Sequence, residues 1–418
     1  MRRLFTTRIL RISLPLLIVT VLATVALIRI RPAFDSAYIG GIPCPQNTHW
    51  RIISSPIPTD DGLWSLNGVA AISDRNVWAV GYYTNPGSLT LIEHWNGTAW
   101  QIVSSPNAPG ISLLNSVSAI SVSDIWAVGG SEPSNGGMSP TLTEHWDGQH
   151  WTIIPSPNLG LTTNILTSVA AVSSADVWAV GSATLPNPGT GTLVEHWNGT
   201  SWTIVPSANV TNAANFLTGI TAISKNDLWA VGYAVQNGSG IQTLIEHWDG
   251  TSWQIVPSPN AQTTGANFLN SVSASASTNV LAVGEAYDAS GASAQTLIER
   301  WNGLAWSIIP SANTSHTAYN YLLGVKSISS TDAWAVGYST SNYYGGRAGQ
   351  ALTEHWNGVA WTRVPTADTS SGQDNLSAIA AVSAHDLWAV GYSKPKYLEL
   401  QSLIERYRGN AVAHSCSA

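Results

Sequence analysis

Trp126-Ala127-Val128-Gly129 is one of six copies of the same four residues; the others begin at Trp78, Trp178, Trp229, Trp334 and Trp388, with a worn copy at Leu281. Consecutive copies lie 48, 52, 51, 52, 53 and 54 residues apart. Two further strings keep that beat. Glu-(His/Arg)-(Trp/Tyr) begins at Glu93, Glu144, Glu195, Glu246, Glu299, Glu354 and Glu405, and Trp-x-(Ile/Arg)-(Ile/Val) begins at Trp50, Trp100, Trp151, Trp202, Trp253, Trp306 and Trp361. A fixed period of this length marks a propeller or solenoid, in which each unit buries its apolar faces against its neighbours.

Each unit resolves into four short strands. In the second, Asn115 to Ser121 (a), Ile125 to Gly129 (b), Leu142 to Trp146 (c) and His150 to Ile154 (d) are separated by turn residues. Asn-Gly or Asp-Gly joins c to d in six units, at Asn96, Asp147, Asn198, Asp249, Asn302 and Asn357. This pair predicts a two-residue type I′ hairpin with positive φ at both central residues, which sets Glu93 directly across from Trp100. Four antiparallel strands per period, without helical periodicity in the repeat region, predict an all-β, seven-bladed β-propeller of four-stranded antiparallel blades. The repeat opens at Trp50 with a d strand and closes at Leu403 to Tyr407 with a c strand. The N-terminal d strand is therefore expected to complete the last blade and close the ring, which removes two free edges.

The chain divides accordingly. Residues 1–31 read as a membrane anchor, 32–49 as a short stalk, 50–407 as the propeller and 408–418 as a tail. Arg2, Arg3, Arg8 and Arg11 precede the uncharged run Ile12 to Ile28, and Arg29 and Arg31 follow it. That run is just long enough for a transmembrane helix, and the arginine bias predicts a cytoplasmic N-terminus. The expectation is a single-pass protein of a bacterial cell membrane with its propeller outside, or a secreted one if the segment is cleaved. Cys44 and Cys416, the only cysteines, flank the two closing strands and are expected to form a disulfide in that oxidising compartment.

Beyond Arg31 the chain carries 11 Lys and Arg against 24 Asp and Glu, a balance of −13. Nucleic acid is excluded as a partner, because its binding rests on clustered cations. The Glu-His pairs are not expected to ligate metal, since neighbours on a strand face opposite ways; the recurring Glu should instead be buried and paired. No cofactor is expected. Of 20 tryptophans, 19 occupy repeat positions and are expected to pack blade against blade.

Trp126-Ala127-Val128-Gly129-Gly130, Glu144-His145-Trp146 and Trp151-Thr152-Ile153-Ile154-Pro155 together resemble a kelch-type β-propeller repeat. They are also similar to bacterial cell-surface proteins built from Trp-Asn-Gly-Thr-x-Trp repeats. The likeness spans Trp50 to Tyr407, although the double glycine survives only at Gly129-Gly130 and becomes Gly-Tyr at Tyr82, Tyr233, Tyr338 and Tyr392. The resemblance implies a binding or scaffolding role and no enzyme; the alternative is a propeller-fold carbohydrate-active hydrolase or lyase.

Function is expected where the repeat is broken, on the face carrying the b-to-c and d-to-a connections. Trp64, the tryptophan outside the repeat positions, is read as lying on the first d-to-a connection behind Asp60 and Asp61. Neighbouring loops are read as adding Tyr82, Tyr83, Tyr343, Tyr344, Arg347, Lys394 and Tyr397. Aromatic rings among polar groups suit a glycan, a peptide or another surface protein. In the fifth unit, Leu281 replaces the Trp, and Ser271 to Ser277 is nearly all Ser and Ala. That blade is expected to be the weakest, or else specialised through Glu285, Tyr287 and Asp288. For the disulfide, thiol labelling of the denatured, unreduced chain should find no reactive thiol; two per chain would refute it.

Overall fold

The computed structural model describes residues 50–56, 62–85, 87–133, 137–160, 162–185, 189–236, 240–314, 318–341, 349–367, 369, 372–395 and 400–409. The expected anchor and stalk, Cys44 and Cys416 lie outside them. Every regular element among the described residues is a strand. The 28 strands form seven antiparallel quartets, hereafter sheets 1 to 7, with sheets 5 and 6 also linked by a parallel bridge from Ala294 to Tyr319. In sheet 1 the a, b, c and d strands are Trp64–Ser73, Asn76–Asn85, Gly87–Trp95 and Trp100–Ile102. The remaining a strands are Ile111–Ser121, Asn164–Ser173, Ala213–Ser224, Asn267–Ala276, Tyr319–Ser329 and Gly372–Ser383. Trp50–Ile52 pairs with Gln401–Arg408 in sheet 7, Trp50 opposite Tyr407. Each a strand packs on that of the next sheet, and the a strand of sheet 7 packs on that of sheet 1.

Tryptophan holds neighbouring sheets together. Trp78 of sheet 1 meets Trp146 at 4.9 Å and Trp151 at 5.7 Å in sheet 2, and the same triangle recurs at Trp126, Trp178 and Trp229. Around the closure, Trp334 meets Tyr407 and Trp50, and Trp388 meets Trp95 and Trp100. Offset and edge-on contacts of this kind suit the ring quadrupole. The glycine that ends each string is set by the partner strand: a Cβ at Gly129 would overlap the Leu113 carbonyl oxygen, and Gly81, Gly181 and Gly232 meet the equivalent carbonyls. There the a strand carries a bulge, between Leu114 and Ser116 in sheet 2.

The c-to-d connection differs from the type I′ expectation. Trp95 pairs with Trp100, and Glu93 faces Ile102, so the loop has four residues, Asn96 to Ala99. Only the glycine has positive φ, 96° at Gly97. The Asn96 side chain stabilises the turn by accepting from the Thr98 and Ala99 backbone N–H at 3.0 and 3.1 Å. The two added residues shift the register that a two-residue loop would give.

The recurring glutamates are buried as expected but unevenly paired. Glu93 accepts from Ser55 at 2.9 Å, Glu354 from Ser311 at 2.8 Å, and Glu246 from the Ala208 N–H at 3.3 Å. Neither carboxyl oxygen of Glu144 or Glu299 has a hydrogen-bond partner among the described residues. Burial raises the pKa of Glu93 to about 7 and of Glu144, Glu246 and Glu299 to about 8. The histidine that follows five of the seven glutamates points the other way, to an aspartate at 2.9 Å for His145, His196 and His247. No cluster of three potential metal ligands occurs among the described residues.

Leu281 is buried against Trp356 and Trp361 of sheet 6. It lacks the ring-on-ring contacts of its six counterparts. Hydrogen exchange should show sheet 5 opening first; uniform protection across the sheets would refute this.

Because the folded pKa of these glutamates lies above the usual carboxyl value, folding favours their protonated form. The stability they allow is complete below pH 4.5 and falls as pH rises through 7 to 8. Glu144→Gln, which keeps the shape without the charge, should raise the melting temperature relative to wild type at pH 9 and leave it nearly unchanged at pH 5. Equal effects at both pH values would show that Glu144 is not titrating in the fold.

Candidate functional site

The structure redistributes the residues singled out in the sequence. Trp64 is the first residue of its a strand, paired with Tyr83 and 4 % exposed, and the two rings stack at 4.6 Å with 4° between their planes. Trp64 therefore packs in the core shared by sheets 1 and 7, where it also lines a cavity of about 180 Å³ at the closing seam beside Thr369, Ser393 and Gln401. Tyr82 and Tyr83 lie in the b strand and not in a loop, because the b-to-c connection of sheet 1 runs only from Asn85 to Gly87. Lys394 is exposed near the end of the b strand of sheet 7. Asp61, Tyr343, Tyr344, Arg347 and Tyr397 lie outside the described residues.

A larger aromatic group gathers where the a and b strands meet the variable connections of sheets 4 to 6. Phe216 stacks on Tyr233 at 4.8 Å, and Tyr233 meets Phe268 of the next sheet at 4.8 Å. Phe268 meets Tyr287 at 5.9 Å, and Tyr321 stacks on Tyr338 at 4.6 Å. The Tyr287 hydroxyl donates to that of Tyr321 at 3.1 Å. These side chains pair across the two strands or across the seam between sheets, so the rings form a continuous arc. Across the closure, Tyr82 lies within electrostatic reach of Tyr392. Phe216, Tyr233, Phe268 and Tyr287 remain partly exposed.

Glu285 lies beside the arc. It stands where other sheets carry Tyr233, Tyr338 or Tyr392, directly after the glycine. Its carboxyl accepts from the Asn270 amide at 2.6 Å, and Tyr233, Tyr321 and Tyr338 lie within its electrostatic reach. Burial pushes its pKa up to about 8, and the Asn270 bond opposes that only in part. At neutral pH the group is mostly a neutral carboxylic acid, able both to donate and to accept.

Below this arc an axial channel of about 330 Å³ runs between the a strands. At its wall a belt of hydrogen bonds ties sheet to sheet: Asn67 donates to Leu114 O, Asn115 to Leu166 O, Thr167 to Leu217 O, Thr218 to Leu269 O and Asn270 to Leu322 O, at 2.7 to 2.9 Å. In sheet 6 the equivalent residue is Leu323 and the belt stops. Asn270 thus joins the belt to the mouth, holding Glu285 with its second N–H.

Partly exposed rings beside a neutral carboxyl and phenol hydroxyls can cover an apolar sugar face or an extended backbone while exchanging hydrogen bonds at its edge. The sequence signal for this group was the Gly-Tyr departure from the double glycine. The phenylalanines and Tyr321 carried no repeat signal that set them apart from core residues.

No family model matches this chain, and no curated protein matches it. Solved structures do. The structure "YCF48 bound to D1 peptide" is 14% identical, with a TM-score of 0.54, and the match covers 88% of this chain and 100% of that one. An Aleuria aurantia lectin in complex with Fucα1-6GlcNAc is 15% identical with a TM-score of 0.43, covering 74% of this chain and 99% of that one. An ulvan lyase, a polysaccharide lyase, is 11% identical with a TM-score of 0.48, covering 84% of this chain and 93% of that one. The expectation that this chain is not an enzyme is corrected on that finding: a structure of similar fold is a polysaccharide lyase, and enzyme status is open. The fold of the repeat region is that of a β-propeller.

Proposed function

We propose that this chain is a seven-bladed, kelch-like β-propeller, closed by its N-terminal strand, that captures a glycan at the aromatic mouth of its variable face. The observation that carries this reading is the arc from Phe216 to Tyr338 with Glu285 beside it, partly open rings around one uncharged hydrogen-bonding acid. The acidic balance of the chain disfavours polyanions, whereas neutral and hydroxyl-rich ligands meet no such barrier. The arginine-flanked apolar run and the Cys44 and Cys416 pair support a membrane-anchored protein with its propeller outside the cytoplasm, where glycans are displayed. Peptides and surface proteins remain the other occupants that such a mouth suits.

A second reading rests on Glu285. A carboxyl that keeps its proton at neutral pH is suited to act as a general acid, so the same mouth fits a carbohydrate-active enzyme.

Tyr233→Leu with Phe268→Leu removes two rings while keeping apolar volume near the original. On a glycan array, wild type should bind a defined subset, and the double variant should lose at least roughly tenfold, the equivalent of about 1.4 kcal/mol. Its melting temperature should stay close to wild type. Absence of glycan binding by wild type, or full binding by the folded double variant, would refute the proposal. Incubating the bound glycans with wild type and Glu285→Gln, and scoring product release, separates capture from catalysis.

A further inference from the structure

We infer that the axial channel is an anion-binding site, built for a carboxylate or phosphate group, with Lys326 as its counter-charge. Among the described residues lining the channel, Lys326 is the one charged side chain, and no aspartate or glutamate joins it. Its position on the a strand, opposite Trp334, is held elsewhere by Ala70, Ser118, Ala170, Thr221, Ser273 and Ala380, each opposite its own repeat residue. Six sheets therefore satisfy the fold with a small residue where sheet 6 carries a cation. No hydrogen bond or ion pair of the Lys326 ammonium occurs among the described residues. Burial lowers its pKa, a cost that no partner among the described residues offsets.

The rest of the wall suits the same ligand. Ser118 Oγ accepts from the Ala171 N–H at 3.2 Å and Ser273 Oγ from the Ser327 N–H at 3.0 Å, both at the level of Lys326. One level nearer the mouth, Ser116 and Ser168 accept from Val169 and Ile220 in the same way. A hydroxyl that already accepts from a backbone N–H keeps its own hydrogen to donate. The channel thus combines one ammonium with four lining hydroxyls that retain a hydrogen to donate, and burial shifts Glu285, which accepts from Asn270 of the lining, toward its neutral form. This is the chemistry of an anion site, because charge-assisted bonds to an ammonium and hydroxyls replace lost hydration. The same group can arrive as a free ion or as the acid function of a larger ligand at the mouth. The inference rests on the channel and stands whether or not the aromatic arc binds glycan.

The test uses the full chain, with acetate, inorganic phosphate and glucuronate as probes at constant ionic strength. Binding is measured by calorimetry, together with the Nζ resonance of Lys326, one of four lysines in the chain. The three probes separate a free ion from an acidic sugar. Wild type should bind at least one probe with one-to-one stoichiometry and a shift of the Lys326 resonance. Lys326→Ala, the residue used at Ala70, Ala170 and Ala380, should fold normally and bind at least roughly tenfold more weakly, while Lys326→Arg retains binding. If none of the three probes binds wild type, or if Lys326→Ala binds as well as wild type, the inference is overturned.

Discussion

The indole that opens each Trp-Ala-Val-Gly string is buried by the c and d strands of the neighbouring sheet, so no sheet here owns a complete core. The cluster around Trp178 draws on sheets 3 and 4, and that around Trp388 on sheets 7 and 1. A single quartet would expose its largest apolar side chains, and stability grows only as neighbours are added. Ring closure follows from this, since an open array would leave one indole uncovered and one c and d pair without an indole to cover. The Asn and Thr belt at the axis adds direction to the packing, because each donor reaches the backbone of the next sheet in one rotational sense.

The same architecture explains why carboxyls are tolerated in the seams. Each recurring Glu sits between sheets where water has been displaced by indoles, and an ionised group there is costly without partners. Ser55 and Ser311 supply partners for Glu93 and Glu354, whereas Glu144 and Glu299 rely on holding a proton. The serine that follows a d strand can have two roles: Ser311 contacts both Thr296 of its own sheet and Glu354 of the next. The following Asn, such as Asn107 or Asn260, accepts from a c-strand N–H and fixes the exit of the chain.

Strand order, the inward-facing tryptophans and the pairing of Trp50 with the last c strand were legible because repetition multiplies a weak local signal by seven. The turn was misread because Asn-Gly serves two loop lengths, and only the Asn96 side-chain bonds distinguish them. Trp64 was misplaced because its strand begins earlier than the alternation suggests, extended by the bulge that follows Leu66. Ser-(Pro/Ala)-Asn was a repeat in plain sight, yet its use depends on a partner fifteen to seventeen residues away. Lys326 could be recognised only after the bulges aligned the a strands, since sequence spacing alone does not show which residues share a level around the axis.

The pairing of Trp50 with Tyr407 also sets an order of events. The strand made first completes the sheet made last, so it has no hydrogen-bonding mate until nearly all of the repeat region exists. At ordinary synthesis rates that interval is on the order of 20 to 70 s. During it the nascent array presents two unsatisfied borders, one at each end, that are complementary to each other and equally complementary to those of another copy. Intermolecular mispairing at these borders competes with closure, and the competition is decided by how quickly the final c strand is delivered relative to the local concentration of unfinished chains.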